Sequence, residues 1–385
     1  MRDALSSKIK QIKPSGIRKF FDIVSEMDDA ISLGVGEPDF DTPWHIREEG
    51  IYSLEKGRTF YTSNAGLSEL KIEISKYLDR RFDLKYDPSD EIMITVGGSE
   101  AIDGALRAML DVGDEVILPQ PSYVSYEPCI VLADGVPVIV ELKEENDFKL
   151  TREQLEKAVT DKTKILIMPF PNNPTGAIMT KEELQPIVDF VIEHDLFVIS
   201  DEIYSELTYS GNHVSIGAFP GMKERTIVIN GFSKSYAMTG WRLGYACGPK
   251  VILSQILKIH QFAIMCAPTT SQYAAIEALR HGDDDVEKMR DEYDRRRRFL
   301  LNAFDEMGIE CFEPYGAFYM FPSIKKFGMS SDEFATRLLK EEKIAVVPGT
   351  AFGDCGEGFL RISYAYSIDD LKAALERIER FIEKL

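Results

Sequence analysis

Residues 226 to 248 read TIVINGFSKSYAMTGWRLGYACG. An apolar strand, Thr226 to Asn230, leads into a short turn that ends at Lys234, and Arg242 follows eight positions after the lysine. A lysine at the end of a buried strand is partly desolvated, which disfavours its ammonium form and leaves a nucleophilic amine. The segment therefore predicts an amine that reacts with a carbonyl group, beside a guanidinium that can bind an anion such as phosphate.

Apolar runs like this one recur between about residues 90 and 250, with helical patterns between them. Several are apolar on both faces, which is typical of parallel strands that helices cover. The helical patterns include Glu100 to Leu110 and Lys181 to Glu193, and Thr180 with Glu183 forms a capping box before the second. The predicted strands are Ile92 to Val96, Glu115 to Pro119, Val136 to Leu142, Lys164 to Pro169, Leu196 to Ser200, Thr226 to Asn230 and Leu243 to Cys247.

After Pro268 the pattern changes to longer helices and fewer strands. The predicted elements there are helices Asp283 to Met307, Ser331 to Glu342 and one from Ile368, with strands Gly316 to Phe321, Ile344 to Pro348 and Phe359 to Ser363. We predict an α/β fold with a large domain, residues 46–280, whose mostly parallel sheet is sandwiched by helices. A smaller α+β domain, built from both chain ends, would comprise residues 281–385 with the N-terminal segment 1–45 packed against it.

Composition limits the possible partners. The 385-residue chain carries a formal net charge of -19, which disfavours binding to nucleic acid or to anionic membranes. The one basic run, Arg295 to Arg298, lies in an acid-rich helical stretch, and we interpret it as a solvated helix face. Five well-separated cysteines indicate free thiols, and their spacing matches no metal site. With neither a signal core nor a membrane span, the sequence predicts a cytoplasmic protein.

Polar residues follow two other predicted strands. Asp201 comes directly after one of them, and its carboxylate could keep a pyridine nitrogen protonated, since opposite charges about 4 Å apart interact by about 4 kcal/mol at an effective dielectric near 20. A helix N-cap is the alternative role for Asp201. Tyr204 can return to the same site and donate its hydroxyl to a phenolic oxygen. Asn173, in a proline-rich run, can point its amide inward, although the same NNPTG run also fits a plain turn.

A phosphate site is predicted at Gly98 and Ser99, between a strand and a helix, where free backbone N–H groups meet the positive end of the helix dipole. Ser233 and Arg242 would complete the phosphate site, although an ordinary surface position for Arg242 stays open. An amine, an acid for a ring nitrogen, donors for a phenolic oxygen and a phosphate site are what pyridoxal phosphate requires.

Arg361 is a charge within an apolar strand, in the segment GFLRISY. A buried cation needs an anionic partner, and the fork of a guanidinium matches a carboxylate. A substrate carboxylate and a salt bridge between domains are both consistent with this position.

Together these segments resemble the aspartate/aromatic aminotransferase family, the class I and II aminotransferases of fold type I pyridoxal-phosphate enzymes. The matching motifs occur in one order through nearly the whole chain. They are SLGVGEPDFDTP at 32–43, FYTSNAG at 60–66, VGGSEA at 96–101, PSYVSYEP at 121–128, PNNPTG at 171–176, SDEIYSEL at 200–207, SKSYAMTGWRLGY at 233–245, GAFY at 316–319, VVPGTAFG at 346–353 and LRISYA at 360–365.

The resemblance implies that Lys234 binds pyridoxal phosphate covalently and moves the proton between the substrate Cα and the cofactor. It also implies a homodimer with a shared active site. The residues that it implies around the cofactor ring are Asp201, Tyr204 and Asn173, with Tyr123 stacked on the ring. At the phosphate it implies Gly98, Ser99, Ser233 and Arg242, together with Tyr61 of a neighbouring subunit. At the substrate carboxylate it implies Arg361, Asn173 and the backbone of Gly36.

Two departures leave the substrate open. Some dicarboxylate-preferring relatives have a lysine where this chain has Ser99, and they often have a tryptophan in place of Tyr123. The segments at 14–20, 205–209 and 321–329 look closer to a bacterial subgroup that includes acetyl-diaminopimelate and aromatic aminotransferases. By analogy alone, Ile17 and Arg18 would shape the side-chain pocket.

The function indicated is transfer of an amino group between an L-amino acid of aromatic, aspartate or acetyl-diaminopimelate type and a 2-oxo acid such as 2-oxoglutarate. A carbon–sulfur β-lyase is the alternative, because the same cofactor site can expel a β-substituent. A cofactor-sensing transcriptional regulator would need an added DNA-binding module, and we expect none because the match begins near residue 14. A nicotinamide dehydrogenase is disfavoured because the chain lacks GxGxxG.

Overall fold

The computed structural model describes residues 3–14, 27 and 29–385. Ile17 and Arg18, which were expected to shape the side-chain pocket, lie outside these residues. The strands are β1 (Ile31–Ser32), β2 (Ile92–Thr95), β3 (Glu115–Gln120), β4 (Val136–Glu141), β5 (Thr163–Met168), β6 (Phe197–Asp201), β7 (Thr226–Gly231), β8 (Gly244–Cys247), β9 (Tyr319–Met320), β10 (Ile344–Ala345), β11 (Val347–Pro348) and β12 (Leu360–Ser363).

The helices agree with most of the predicted periodic segments. They are α1 (Ser7–Gln11), α2 (Trp44–Glu55), α3 (Ser68–Phe82), α4 (Gly97–Met109), α5 (Tyr126–Leu132), α6 (Arg152–Ala158), α7 (Lys181–Glu193), α8 (Lys250–Ala263), α9 (Thr269–His281), α10 (Asp283–Glu306), α11 (Ser331–Glu342) and α12 (Ile368–Ile382). The capping box before α7 is confirmed, since Thr180 accepts from the backbone N–H of Glu183 while the Glu183 side chain accepts from that of Thr180.

Within the described residues, seven strands form one sheet in the order β2-β8-β7-β6-β5-β3-β4. The neighbours from β7 to β4 pair in parallel, and β8 runs antiparallel to both β7 and β2. Strands β2, β5, β6 and β7 therefore point the same way, and their carboxyl ends lie along one edge of the sheet. All the strands predicted between residues 90 and 250 are confirmed, with ends that differ by at most one position.

Strand β5 shows why these runs are apolar on both faces. Ile165 and Ile167 pack into the cluster that includes residues of α4 and α8, whereas Leu166 and Met168 pack into the cluster that includes residues of α7. Each of the four side chains is at most 2% exposed. Successive side chains of a strand point to opposite faces, so a sheet with helices on both sides requires apolar residues at every position.

The two ends of the chain meet beside this sheet. Strand β1 pairs in parallel with β10, with Ile31 opposite Ile344. Strands β11, β12 and β9 form an antiparallel sheet, and β9 and β12 share a core with α10, α11 and α12. This α+β packing of both ends agrees with the predicted fold class, while the domain limits 1–45, 46–280 and 281–385 stay a prediction.

Three expectations need correction. Helix α4 begins at Gly97 rather than Glu100, so the predicted phosphate segment lies in the first helical turn. Asp201 is the last residue of β6 rather than the residue after it. The strands expected at 316–321 and 344–348 are shorter, because only Tyr319–Met320 pair in the first and the second divides into β10 and β11.

The interpretation of the arginine run as a solvated face is wrong for two of its members. Arg296 is 5% exposed and pairs with Asp39 and Glu292, while Arg297 is 6% exposed and pairs with Asp294 and Glu313. These arginines cross-link α10 to other segments, because a buried guanidinium is stable where carboxylates surround it.

No helix among residues 3–14, 27 and 29–385 is long and apolar enough to cross a bilayer. The five cysteines are free thiols, as their spacing predicts.

Candidate active site

A cavity of about 440 Å³ opens at the edge of the sheet where β2, β5, β6 and β7 end. Each of these strands delivers a predicted residue or segment to it, because the chain turns out of the sheet at that point. The predicted residues that line the cavity are Gly36, Gly98, Ser99, Tyr123, Asn173, Asp201, Tyr204, Ser233, Lys234, Arg242 and Arg361. Tyr61 is not among them, and its side chain is 80% exposed.

Lys234 lies three residues beyond β7 and is partly buried. Its Nζ donates a hydrogen bond of 2.6 Å to the carbonyl oxygen of Gly36. Burial lowers the pKa of Lys234 to about 8, against the attraction of Glu37, and the positive charges of Arg361 and Arg242 act in the same direction as burial. More of this amine is therefore neutral and nucleophilic at physiological pH than in an ordinary lysine.

Asp201 projects from the end of β6 into the same cavity. Its Oδ2 accepts from the hydroxyl of Tyr126 at 2.7 Å, and its Oδ1 accepts from the backbone N–H of Ile203 at 3.2 Å. Burial raises the pKa of this carboxyl group above its usual value, although both hydrogen bonds oppose that shift. In the described part of the chain no lysine or arginine forms an ion pair with Asp201, so a cationic ligand would stabilise its charge. Asp201 does not cap a helix. Its bond to the Ile203 N–H closes only a local turn.

Asn173 and Arg361 are hydrogen-bonded to each other in the wall of the cavity. Arg361 Nη1 donates to Asn173 Oδ1 at 3.1 Å, and its Nη2 donates to the carbonyl oxygen of Gly34. Arg361 is 2% exposed, and its Nε has no hydrogen-bond partner among the residues that the structure describes. No carboxylate of those residues pairs with it. The salt-bridge alternative for Arg361 is therefore not supported, and a ligand carboxylate matches the unpaired charge.

The NNPTG segment serves both predicted roles. Asn172 accepts from the backbone N–H and the hydroxyl of Thr175, which closes a turn, whereas Asn173 is directed into the cavity. The turn thus fixes the backbone from which Asn173 reaches Arg361.

The predicted phosphate site combines the first turn of α4 with Arg242. Gly97 has φ +74°, and a Cβ added to it would lie 2.7 Å from Arg242 Nη2. Only glycine allows this close approach of the guanidinium to the helix N-terminus. Ser233 and Gly98 line the same part of the cavity, and Ser99 and Arg242 are exposed at its mouth. Backbone donors, a helix N-terminus and a guanidinium are suited to bind an anion.

Two tyrosines of the cavity were missed by sequence reasoning. Tyr126 binds Asp201, as described above, and its ring packs edge-to-face on Tyr123 with centroids 5.6 Å apart. Tyr319 lies beside Tyr204, with 2.7 Å between the two hydroxyl oxygens. Both belong to motifs of the family resemblance, PSYVSYEP and GAFY, which were the available signal.

Pyridoxal phosphate fits this set of groups. The amine of Lys234 has a lowered pKa, the Asp201 carboxylate is buried without a basic partner in the described chain, and the Arg242 guanidinium lies beside Gly97 at the N-terminus of α4. These are the residue types that hold the aldehyde, the ring nitrogen and the phosphate of that cofactor.

Comparison with known proteins agrees with this geometry. The family model described as aminotransferase class I and II matches residues 28–378. The chain belongs to this family. Its members depend on pyridoxal phosphate, and this chain is an aminotransferase. The comparison confirms the family that the sequence motifs predicted.

Several relatives of this aminotransferase match over nearly their whole length. A putative aminotransferase of Bacillus subtilis (strain 168) is 54% identical over 100% of both chains. An aspartate aminotransferase of Pyrococcus abyssi is 47% identical over 99% of both, and a probable N-acetyl-LL-diaminopimelate aminotransferase of B. subtilis is 45% identical over 100% of this chain and 97% of the relative. The crystal structure of an aromatic aminotransferase from Pyrococcus horikoshii OT3 superposes with a TM-score of 0.91 at 46% identity, covering 96% of this chain and 99% of the other.

The lowered pKa of Lys234 can be measured directly in the cofactor-free protein by competitive acetylation at increasing pH, with mass spectrometry of the labelled peptides. We expect a midpoint of about 8 for Lys234. Lys250 is the internal control, because its hydrogen bond to Asp90 raises its pKa above the usual value of a lysine. Glu37→Gln removes an anion that favours the ammonium form, so the Lys234 midpoint should fall. If Lys234 and Lys250 were labelled with the same pH midpoint, burial in the cavity would not lower the pKa of Lys234.

Proposed function

We propose that this aminotransferase uses pyridoxal phosphate to move an amino group between an L-amino acid and a 2-oxo acid such as 2-oxoglutarate. The observation that carries the proposal is the convergence in one cavity of Lys234, Asp201 and Arg242 with Arg361, whose buried charge has no anionic partner in the described chain. The amine, the carboxylate and the anion sites are the groups that this chemistry needs.

Different residues of the chain bind different parts of the cofactor. Pyridoxal phosphate supplies an aldehyde carbon for the amino group and a cationic ring that withdraws electrons from the substrate Cα. Asp201 keeps the ring nitrogen protonated, with Tyr126 fixing the carboxylate orientation. Tyr204 and Asn173 would donate to the phenolic oxygen, and Tyr123 would cover the ring face. Gly98, Ser99, Ser233 and Arg242 bind the phosphate.

Lys234 would hold the cofactor covalently, and its amine, once the substrate amino group has replaced it, would serve as general acid and base. A neutral amine can accept the proton from the substrate Cα, and a pKa of about 8 keeps both protonation states accessible near physiological pH. Phe318 and Tyr204 present ring faces to Nζ at 5.8 and 5.9 Å from their centroids. These rings limit the directions that the amine can take.

Substrate recognition begins with its α-carboxylate. Arg361 offers a guanidinium that is 2% exposed, and Asn173 fixes one of its nitrogens. The Gly36 backbone lies at the same part of the cavity. A carboxylate bound there would supply the negative charge that the buried arginine lacks in the described chain.

The substrate side chain belongs to one of three types. Relatives with 45–47% identity are named as aspartate, aromatic-amino-acid and N-acetyl-LL-diaminopimelate aminotransferases. The family model and these relatives are aminotransferases, which favours transamination over the carbon–sulfur lyase.

Lys234→Ala should remove the visible absorbance of the bound cofactor and lower kcat by about 10³-fold or more, since both the covalent link and the proton transfer are lost. Absorbance after addition of pyridoxal phosphate and steady-state rates provide the measurement. Lys250→Ala changes an exposed lysine outside the cavity and should leave both unchanged. Borohydride reduction should attach the cofactor to the peptide that contains residue 234. Attachment to another lysine would refute the assignment.

Aspartate, phenylalanine and N-acetyl-LL-diaminopimelate, each assayed with 2-oxoglutarate, test the substrate class. We expect glutamate formation with at least one of them, because Arg361 binds the α-carboxylate that all three share. Cystathionine without an oxo acid is the control and should yield neither pyruvate nor ammonia. Release of both products without an acceptor would show lyase activity instead.

The proposed assembly is a homodimer in which Tyr61 completes the phosphate site of the neighbouring subunit. Tyr61 and Phe60 are each 80% exposed, and Phe262 is 92% exposed, so this face carries aromatic rings that a second copy could cover.

Subunit complementation tests that assembly. Tyr61→Ala and Lys234→Ala should each impair activity, whereas mixed subunits should regain roughly a quarter of wild-type activity, because half of the dimers are hybrids with one intact site. Activity that stays at the level of the separate variants after mixing and refolding, or a monomer in sedimentation experiments, would rule out a shared site.

A further inference from the structure

Tyr319 contacts several parts of the candidate site. It begins β9, is 1% exposed and lines the cavity. Strand β9 pairs with β12, which carries Arg361, with Ser363 opposite Tyr319. The pairing of these two strands therefore fixes Tyr319 and Arg361 relative to each other.

The hydroxyl of Tyr319 lies 2.7 Å from that of Tyr204. Burial raises the pKa of both hydroxyls above the usual range of tyrosine, so both keep their protons at physiological pH. Each hydroxyl has one proton to donate. If Tyr204 donates its proton to a ligand in the cavity, Tyr319 must be the donor in the bond between them.

The ring of Tyr319 has a separate contact. The Cζ atom of Arg361 lies 4.5 Å from the centroid of this ring, and 4.8 Å from that of Phe352. An aromatic face attracts a guanidinium electrostatically, and more strongly in a desolvated site. The ring thus stabilises a buried cation that has no carboxylate partner among the described residues.

The Tyr319 hydroxyl also lies close to the backbone of Gly36. A Cβ added to Gly36 would lie 2.3 Å from the Tyr319 oxygen. The absence of a side chain at residue 36 therefore allows Tyr319 to reach Tyr204. The carbonyl of the same glycine accepts from Lys234 Nζ.

We propose that Tyr319 is a positioning residue: its hydroxyl holds the Tyr204 hydroxyl in the donating orientation, and its ring supports the Arg361 guanidinium. One side chain thereby links recognition of the cofactor ring to recognition of the substrate carboxylate. The inference rests on the proposed function, because Tyr204 needs the phenolic oxygen of pyridoxal phosphate as its acceptor. Donation by Tyr319 polarises the Tyr204 O–H group and strengthens its bond to that oxygen.

Tyr319→Phe removes the hydroxyl and keeps the ring. With a weaker donor at Tyr204, the phenolic oxygen retains more negative charge and holds nearby protons more tightly. The pH midpoint of the visible absorbance of the cofactor-loaded enzyme should therefore rise, by about half a unit to one unit for a hydrogen bond of ordinary strength. The KM for 2-oxoglutarate should stay unchanged, because the ring still faces Arg361. Tyr319→Leu should raise that KM about three-fold or more.

Tyr293→Phe is the matched control. This tyrosine is fully buried in the same core, packs on Phe318 and has a hydroxyl without a partner in the described chain. It does not line the cavity. Its absorbance midpoint should equal that of the wild type.

The decisive measurement repeats Tyr319→Phe in a Tyr204→Phe background. If Tyr319 acts through Tyr204, the midpoint shift disappears there. A shift that persists in that background, or no shift in the single variant, overturns the inference while pyridoxal phosphate binding stands. A wild-type protein that takes up no cofactor would overturn the proposed function and this inference together.

Discussion

Parallel pairing of β5, β6 and β7 is the constraint on which the rest of the site depends. The register places Met168 beside Ser200 and Asp201 beside Ile229, so each of the three strands ends within one or two residues of its neighbour. Whatever follows each strand must then emerge at one edge, where Asn173, Asp201 and Lys234 line a common cavity. The site is thus set by backbone hydrogen bonds, and the polar side chains occupy positions that those bonds determine.

Much of this arrangement follows from local sequence. Strands such as Thr226 to Asn230 are recognisable because helices cover both faces of the sheet and polar residues are excluded from either side. The capping box at Thr180 marks the start of a helix through hydrogen bonds that span only three residues. Lys234 and Asp201 were predicted correctly as cavity residues because each lies at or just beyond the end of a strand, and the ends of parallel strands lie at one edge of the sheet.

What sequence reasoning missed depends on contacts between distant segments. One partner of Arg296, Asp39, lies 257 residues away, so the sequence around the arginine run does not reveal that half of the run is buried. Tyr319 meets Tyr204 across 115 residues, and Tyr126 meets Asp201 across 75. A tyrosine in an apolar segment is predicted to be an ordinary core residue. Its ring fits the hydrophobic pattern whichever way its hydroxyl points.

The bond from Arg361 to the Gly34 carbonyl joins residues 327 positions apart, and β1 finds its pairing partner only in β10. During translation the first forty residues leave the ribosome long before β10 and β12 have been made. The sheet between them has all its strands by residue 247 and can begin to fold while synthesis continues. A nascent chain therefore lacks the Arg361 side of the cavity until β12 has been synthesised, well after the seven-stranded sheet is complete.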